Sequence, residues 1–248
     1  MNLLKTSVLN GIAVLVKTAT MFILNKILAV YVGPSGYAAI GQFQNFIQII
    51  TSFSGGAITN AVIKYTAEYG DKPNEQQRIW RTSGTIVLSL SLLFSFFIIL
   101  LRKQLSLSIF QTPDFQMVFV WFAISLIFFN FNTLFLAILN GKKEILRLVI
   151  ANISESIFSL LIIYILTKKL FLQGALIGVA IYQAIAFFIT FLLCIKSYWF
   201  RLSYLIGKLD RVIVLSFSQF ALMSITSAIC APLAQMVIRS YLCDAIDS

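Results

Sequence analysis

The chain is dominated by apolar runs long enough to cross a lipid bilayer. Seven of them cover residues 9–32, 37–63, 84–101, 117–139, 145–167, 174–195 and 212–238. Crossing the hydrocarbon core as a helix takes roughly 20 mainly apolar residues. In lipid a helix satisfies its own backbone hydrogen bonds, which an open strand cannot do. The pattern therefore predicts an all-α polytopic membrane helical bundle. Of the 248 residues, 59% are hydrophobic and 11% are charged, against about 25% charged in soluble domains. Too few charges remain to coat a water-soluble globule.

The connections are short. Gly33-Pro34-Ser35-Gly36 reads as a tight turn, since Gly and Pro supply the backbone angles a turn needs. Residues 68–81 read as a polar loop, 102–115 as a mixed one, and 140–144, 168–173 and 196–211 complete the set. None is large enough to be a domain, so chemistry is confined to the bundle and its rims. The expected organisation is a six-helix transmembrane lobe over residues 1–200. A linker and the first helix of a second lobe follow over 201–248.

The basic residues set the orientation. With the N-terminus cytoplasmic, about twelve Lys and Arg fall on the cytoplasmic side and about four on the other, the bias that the positive-inside rule requires. The net charge of +10 sits mostly between apolar runs. It points to an anionic lipid surface and topology control rather than nucleic acid. There is no histidine, which removes the commonest general base and metal ligand. Cys194, Cys230 and Cys243 lack metal-ligand spacing and read as small packing residues. The first run has full membrane length, unlike the shorter core of a cleaved signal peptide. No cofactor, metal or catalytic residue is expected.

Three runs are not uniformly apolar. In the second, Gly41, Asn45, Gln48, Ser52, Gly55 and Thr59 recur at steps of three and four, and Asn60 and Lys64 extend the stripe. The stripe suits a helix–helix contact or the wall of a wet cavity. In the fifth, Glu144, Arg147, Ala151, Ser154, Glu155 and Ser159 share a side. Glu155 must pair, face water or be protonated at that depth. The first run offers Lys17 or Lys26 as the opposite charge. These two lysines are nine residues apart, so they point about 180° from each other and stand about 13 Å apart along the axis. One explanation cannot serve both: one lysine faces a cavity, and the other packs in the bundle or snorkels.

Three stretches carry a resemblance: "LVK" with "NKILAVYVGPSG", "NAVIKYTAEYGDKP", and "LSYLIGKLDRVIVLSFSQFALMSITSAICAPLAQMVIRSYL". Together they resemble the Wzx-type polysaccharide-repeat flippases, the O-antigen translocase and lipid III flippase group of the multidrug/oligosaccharidyl-lipid/polysaccharide exporter superfamily. The resemblance implies translocation of an undecaprenyl-pyrophosphate-linked oligosaccharide across the bacterial inner membrane, for O-antigen, enterobacterial common antigen or a related polysaccharide. It implies alternating access between two six-helix lobes around a cationic cavity. On that view Lys17, Lys26, Lys64 and Arg147 contact the pyrophosphate as charge-assisted donors. Asn45 and Gln48 suit sugar hydroxyls, and Glu155 is a coupling or charge-pair group. The implied partners are the lipid-linked substrate, the bilayer, the polysaccharide polymerase machinery and a separate chain supplying the second lobe. The chain departs from the family in carrying six helices and one more, which reads as a truncated, partial transporter. A drug exporter of the same superfamily and a non-catalytic subunit of an assembly complex remain as alternatives. A membrane enzyme of glycan assembly would need a large loop or rim histidines, which the chain lacks.

Overall fold

A computed structural model describes residues 3–224 and residue 226. Among the described residues every regular element is helical. Helix α1 (Leu3–Ser54) is followed by a 3-10 turn (Gly56–Ile58), α2 (Thr59–Glu68), α3 (Pro73–Phe110), α4 (Gln116–Gly141) and α5 (Ile145–Ile195). A second 3-10 turn (Leu202–Tyr204) precedes α6 (Arg211–Ser224). Four helices, α1, α3, α4 and α5, are long and apolar enough to cross a membrane. The expected seventh run, 212–238, lies mostly outside the described residues.

Two of the four are broken. Gly33 (φ 73°, ψ 177°) interrupts α1, and Phe171 (φ 49°, ψ −128°) interrupts α5. At Phe171 the chain doubles back: Gly178 is packed against the backbone of Ile163, and a methyl on Gly174 would collide with the Leu166 carbonyl. Residues that far apart on a straight helix would stand about 20 Å from each other. A positive φ is unusual for Phe. It is held here between exposed Lys168, Lys169 and Gln173, where the turn reaches water.

The reversal at Gly33 follows from the neighbours of the two arms of α1. Phe43 meets Phe119 at 5.6 Å between ring centres, and Ser54 meets Asn130, so the second arm runs parallel to α4. The first arm of α5 runs antiparallel to α4, because its second arm runs parallel: Phe187 and Phe191 both stack on Phe135, and Phe128 meets Phe187. The first arm of α1 follows the first arm of α5, with Lys17 facing Glu155 and Tyr31 facing Tyr164. The arms of α1 are therefore antiparallel, as the Gly-Pro turn predicts. Six straight segments alternate in direction through the bundle.

One expected loop and one expected helix differ. Residues 68–81 are largely helix, because Pro73 opens α3 at a position where its missing N–H costs nothing. With 38 residues, α3 is about 57 Å long. It outruns a hydrocarbon core of about 30 Å, so its polar first turns stand outside. The run 37–63 is not one helix: it breaks at Gly55-Gly56 before resuming as α2.

The interior has two apolar clusters with a hydrogen-bonded layer between them. Leu28, Ile40, Phe43, Phe119, Phe122 and Leu176 anchor one cluster. Trp80, Phe135, Ile138, Trp199 and Phe217 anchor the other. In the sequence of each helix the layer falls between the two. Asn130 Nδ2 donates to Ser54 Oγ and Ser91 Oγ, both at 2.8 Å, joining α4 to α1 and α3. Ser95 Oγ donates to the Ala123 carbonyl at 2.7 Å.

Residues 196–210 form a strap bound to α3. A methyl at Gly84 would collide with the Leu205 carbonyl, so that glycine admits the strap backbone. Thr85 Oγ1 donates to the Gly207 carbonyl and accepts from the Gly207 amide, each at 3.1 Å. Arg81 Nε donates to the Ser203 carbonyl at 3.2 Å, and Arg78 pairs with both Glu75 and Asp210.

The polar layer predicts that Asn130→Ala lowers thermal stability in detergent by about 0.6–1.7 kcal/mol, the range of intramembrane hydrogen bonds; an unchanged melting temperature argues against the tie. Arg78 holds the Asp210 carboxyl below its ordinary value of 3.8. The folded state then binds fewer protons than the unfolded one, so the pair stabilises fully above that value and fades as pH falls through the lower folded one. Trypsin cleavage at Lys196, Arg201 and Lys208 should accelerate at neutral pH in Asp210→Asn and Gly84→Val, measured against the parent chain.

Candidate functional site

The intramembrane charges come together at one place. Glu155, on the first arm of α5, is partly buried and faces Lys17 of α1 and the side chain of Asn132 on α4. Tyr182, on the second arm of α5, lies within electrostatic reach of the same carboxylate. Its hydroxyl accepts from Gln183 Nε2 at 3.0 Å. Four helical segments thus contribute to one polar cluster inside an apolar bundle. Asn132 is buried, and its Oδ1 has no hydrogen-bond partner among the described residues. Lys17 forms no contact ion pair with Glu155, so its ammonium acts on the carboxylate across a gap.

Lys17 and Lys26 are both exposed. Lys26 shares the outward face of this arm with Leu15, Phe22 and Val30, at 71%, 73% and 73% exposure, while Lys17 points about 180° away, on the side of Glu155. That face is uncovered among the described residues, as are the exposed Asn45 and Gln48 on the second arm. The Gln48 carbonyl is occupied: it accepts from Ser52 Oγ at 2.7 Å and Thr51 Oγ1 at 3.2 Å. No hydrogen bond among the described residues joins Asn45 or Gln48 to either lysine. Lys64 is also exposed and lies over the rings of Tyr65 and Phe220 at 5.3 and 5.4 Å.

Arg147 is placed elsewhere, about two turns along α5 from Glu155, in a lock at the end of the bundle. It donates to Glu144 Oε2 at 2.7 Å and to Ser197 Oγ at 2.6 Å. Glu144 Oε1 accepts from Trp199 Nε1 at 2.9 Å. Trp199 meets Trp80 at 5.3 Å between ring centres, and the Lys142 ammonium lies over both rings. Lys142 also donates to Gln76 Oε1 at 2.9 Å, and Gln76 Nε2 donates to the Thr66 carbonyl at 2.7 Å. Desolvation beneath these rings pushes the Lys142 pKa below its ordinary value, against the pull of Glu144.

Of the residues singled out in the sequence, the fold brings Lys17 to Glu155. It does not bring Arg147 or Lys64 into the same cluster. Asn132, Tyr182 and Gln183 join the cluster without having been singled out. One signal was present: "FFNFNTLF" sets Asn130 and Asn132 in an otherwise apolar run. Polar side chains at that depth require partners.

Residues 3–243 match the family model described as "Polysaccharide biosynthesis protein". The chain is 28% identical over 242 residues to the lipid III flippases of Escherichia coli (strain K12) and Shigella flexneri. The match covers 98% of this chain and 58% of each relative, so the chain spans little more than half their length. Among solved structures, a MOP superfamily transporter from Pyrococcus furiosus superposes with a TM-score of 0.71 at 19% identity, over 95% of this chain and 55% of that one. A MATE transporter in its bent conformation gives 0.68 at 17% identity, over 92% and 54%. At those identities the structures speak for the fold.

The lock around Arg147 predicts that Arg147→Ala strips Glu144 and Ser197 of a charged partner and destabilises the chain by about 1–3 kcal/mol. Arg147→Lys should recover only part, because one ammonium cannot reproduce a planar fork. Thermal unfolding in detergent measures both; equal stability in all three chains would show the lock to be idle.

Proposed function

The chain belongs to the polysaccharide biosynthesis protein family, and on that premise we propose that it moves a lipid-linked oligosaccharide across the bacterial inner membrane. The substrate is an undecaprenyl-pyrophosphate glycan of the kind used for O-antigen, enterobacterial common antigen or a related polymer. The observation that carries this reading is the pair of exposed ammonium groups, Lys17 and Lys26, on a membrane-length apolar arm. A charged lysine there costs about 2.5–3.5 kcal/mol on insertion scales unless it meets water or an anion. A pyrophosphate travelling along this face supplies the anion. It accepts charge-assisted hydrogen bonds from the lysine that faces it.

In this reading residues 1–200 are a six-helix lobe, and 201–248 hold a linker and the opening helix of a second lobe. The unpartnered face of α1 is the wall turned toward that lobe. Lys17 and Lys26 point about 180° apart, so one of them takes the pyrophosphate from this wall and the other packs in the bundle or snorkels. Asn45 and Gln48 meet sugar hydroxyls, and Lys64 receives the head group at the basic rim, with the N-terminus cytoplasmic. Arg147 is already engaged with Glu144 and Ser197, so it serves by holding the rim. Glu155 offsets the Lys17 charge when no substrate is present and is the titratable group that couples proton movement to transport. The reading is of a transporter rather than an enzyme, acting with a second lobe and handing its product to the polymerase machinery. An exporter of cationic drugs calls for an acidic cavity, whereas the exposed intramembrane charges here are basic.

The test is a chimera in which this chain replaces the matching part of the Escherichia coli lipid III flippase. Lys17→Ala, Lys26→Ala and Glu155→Gln are then compared in cells lacking other flippases. Lipid-linked glycan delivered to the outer leaflet should fall roughly tenfold or more in Lys17→Ala, the loss expected for a hydrogen bond between charged groups. Unchanged delivery in all three variants would sink the cationic-wall reading.

A further inference from the structure

The strap between α5 and α6 carries a surface that the transport reading does not use. It lies across α3 where that helix changes character. Ser203 and Gly207 bond to Arg81 and Thr85, and the Leu205 carbonyl fills the space beside Gly84. The opening turns of α3 are polar, with Glu75, Gln76, Gln77, Arg78 and Arg81, whereas Ile86 to Leu101 includes no charged residue. The strap is therefore level with the edge of the hydrocarbon, in the plane where water gives way to lipid.

The two sides of the strap differ. Trp199 and Leu205 are buried in the apolar cluster around Trp80 and Phe135. Tyr198 is 92% exposed, and Leu202, Ile206 and Leu209 are 61%, 56% and 55% exposed. Beside them stand Lys196, Arg201, Lys208 and Arg211, all exposed. Among the described residues none of these four side chains enters an ion pair; the pairs belong to Arg78 and Arg147. Residues 196–209 contain no Asp or Glu. Asp210, which follows, is taken by Arg78.

A run of uncovered Tyr, Leu and Ile side chains is a poor surface to present to water alone. Four cations are a poor surface to present to hydrocarbon. The two together, at this level, suit the headgroup region, where apolar side chains enter the acyl boundary and charged ends meet phosphate. A zwitterionic headgroup brings its own cation and leaves the four basic groups uncompensated. An anionic headgroup compensates them. We infer that residues 196–211 form an interfacial anchor that binds anionic phospholipid. Arg201 and Lys208 take the headgroup phosphates, and Leu202, Ile206 and Leu209 enter the acyl boundary. The ties to α3 hold the strap in shape before lipid arrives, so little order has to be gained on binding. The anchor does not depend on which substrate is transported.

The test offers the purified full chain, stripped of lipid in a non-ionic detergent, an equimolar mixture of phosphatidylglycerol and phosphatidylcholine. Mass spectrometry then counts the lipid retained. Retention should favour phosphatidylglycerol. Arg201→Gln with Lys208→Gln should lower that preference by about tenfold or more, since two charges are removed. Leu202→Ser with Ile206→Ser keeps the charges and should lower the amount of phosphatidylglycerol retained. Lys168→Gln with Lys169→Gln removes the same charge at the Phe171 turn, the opposite end of the second arm of α5, and should leave the preference unchanged. Melting temperatures establish that the variants are folded. The proposal is overturned by equal retention of the two lipids in the parent chain, which a strap covered by polypeptide would give. It is overturned equally by the same loss from both charge pairs, the mark of bulk positive charge, or by full retention in the serine variant. No glycan is present, so none of these results bears on delivery by the chimera, and the two readings fail separately.

Discussion

Much of this bundle hangs on one amide. Asn130 stands where two apolar clusters meet, and its two hydrogens join α4 to the end of α1 and to α3. In water such a contact would be worth little, because each partner could be hydrated instead. Inside a membrane the alternative is an unpaired polar group or a search for another partner. The tie therefore fixes register more than it adds energy. Phe and Leu pairs on either side could slide by a turn at small cost, but only one alignment brings Ser54 and Ser91 to the same asparagine. The same amide stabilises the place where α1 stops, since Ser54 is the last residue of that helix.

Where the helices break follows from what can satisfy a freed backbone group. Gly33 and Phe171 lie at the ends of arms, where exposed residues show the chain meeting water. The interruption at Gly55 is different in kind, because it is covered by protein and opens on a cavity. Irregular backbone at membrane depth is tolerated under that condition. Gly84 performs another service by giving up its side chain so that the strap can lie against α3. With Arg78, Arg81 and Thr85 holding the strap at successive points, α6 is fixed to the bundle at its first turn.

The apolar runs and the Gly-Pro reversal were legible because each is a local property. Membrane length and turn chemistry need no partner. Glu155 was also legible as a residue needing a counter-charge, and Lys17 or Lys26 as its source. The choice between them required the packing of α1 on α5, which no hydropathy pattern encodes. Asn132, Tyr182 and Gln183 were hidden for the same reason: their importance lies in facing Glu155 from other segments. The break at Gly55-Gly56 is harder to see, because Gly55 falls in a stripe of small and polar residues. Two adjacent glycines in a membrane run suit close packing and interruption equally well. Pro73, by contrast, was misleading, since within a polar stretch it reads as a loop while it in fact starts a helix.

The two lysines of α1 are not accounted for by burial among the described residues. Both are exposed, and neither is consumed by a contact ion pair. If that face met lipid, the long stem of Lys26 would reach toward the Gly33 end. Lys17 lies deeper along the arm and has Glu155 within electrostatic range. A carboxylate placed there lowers the cost of the cation without neutralising it through direct contact. A contact pair would have been the more stable arrangement for a purely structural role, as the Arg147–Glu144 pair at 2.7 Å shows in the same helix. On the proposed transport reading, keeping Lys17 near its counter-charge but out of its grip leaves the ammonium available to an incoming anion, and lets the carboxylate compete for Lys17 once that anion leaves.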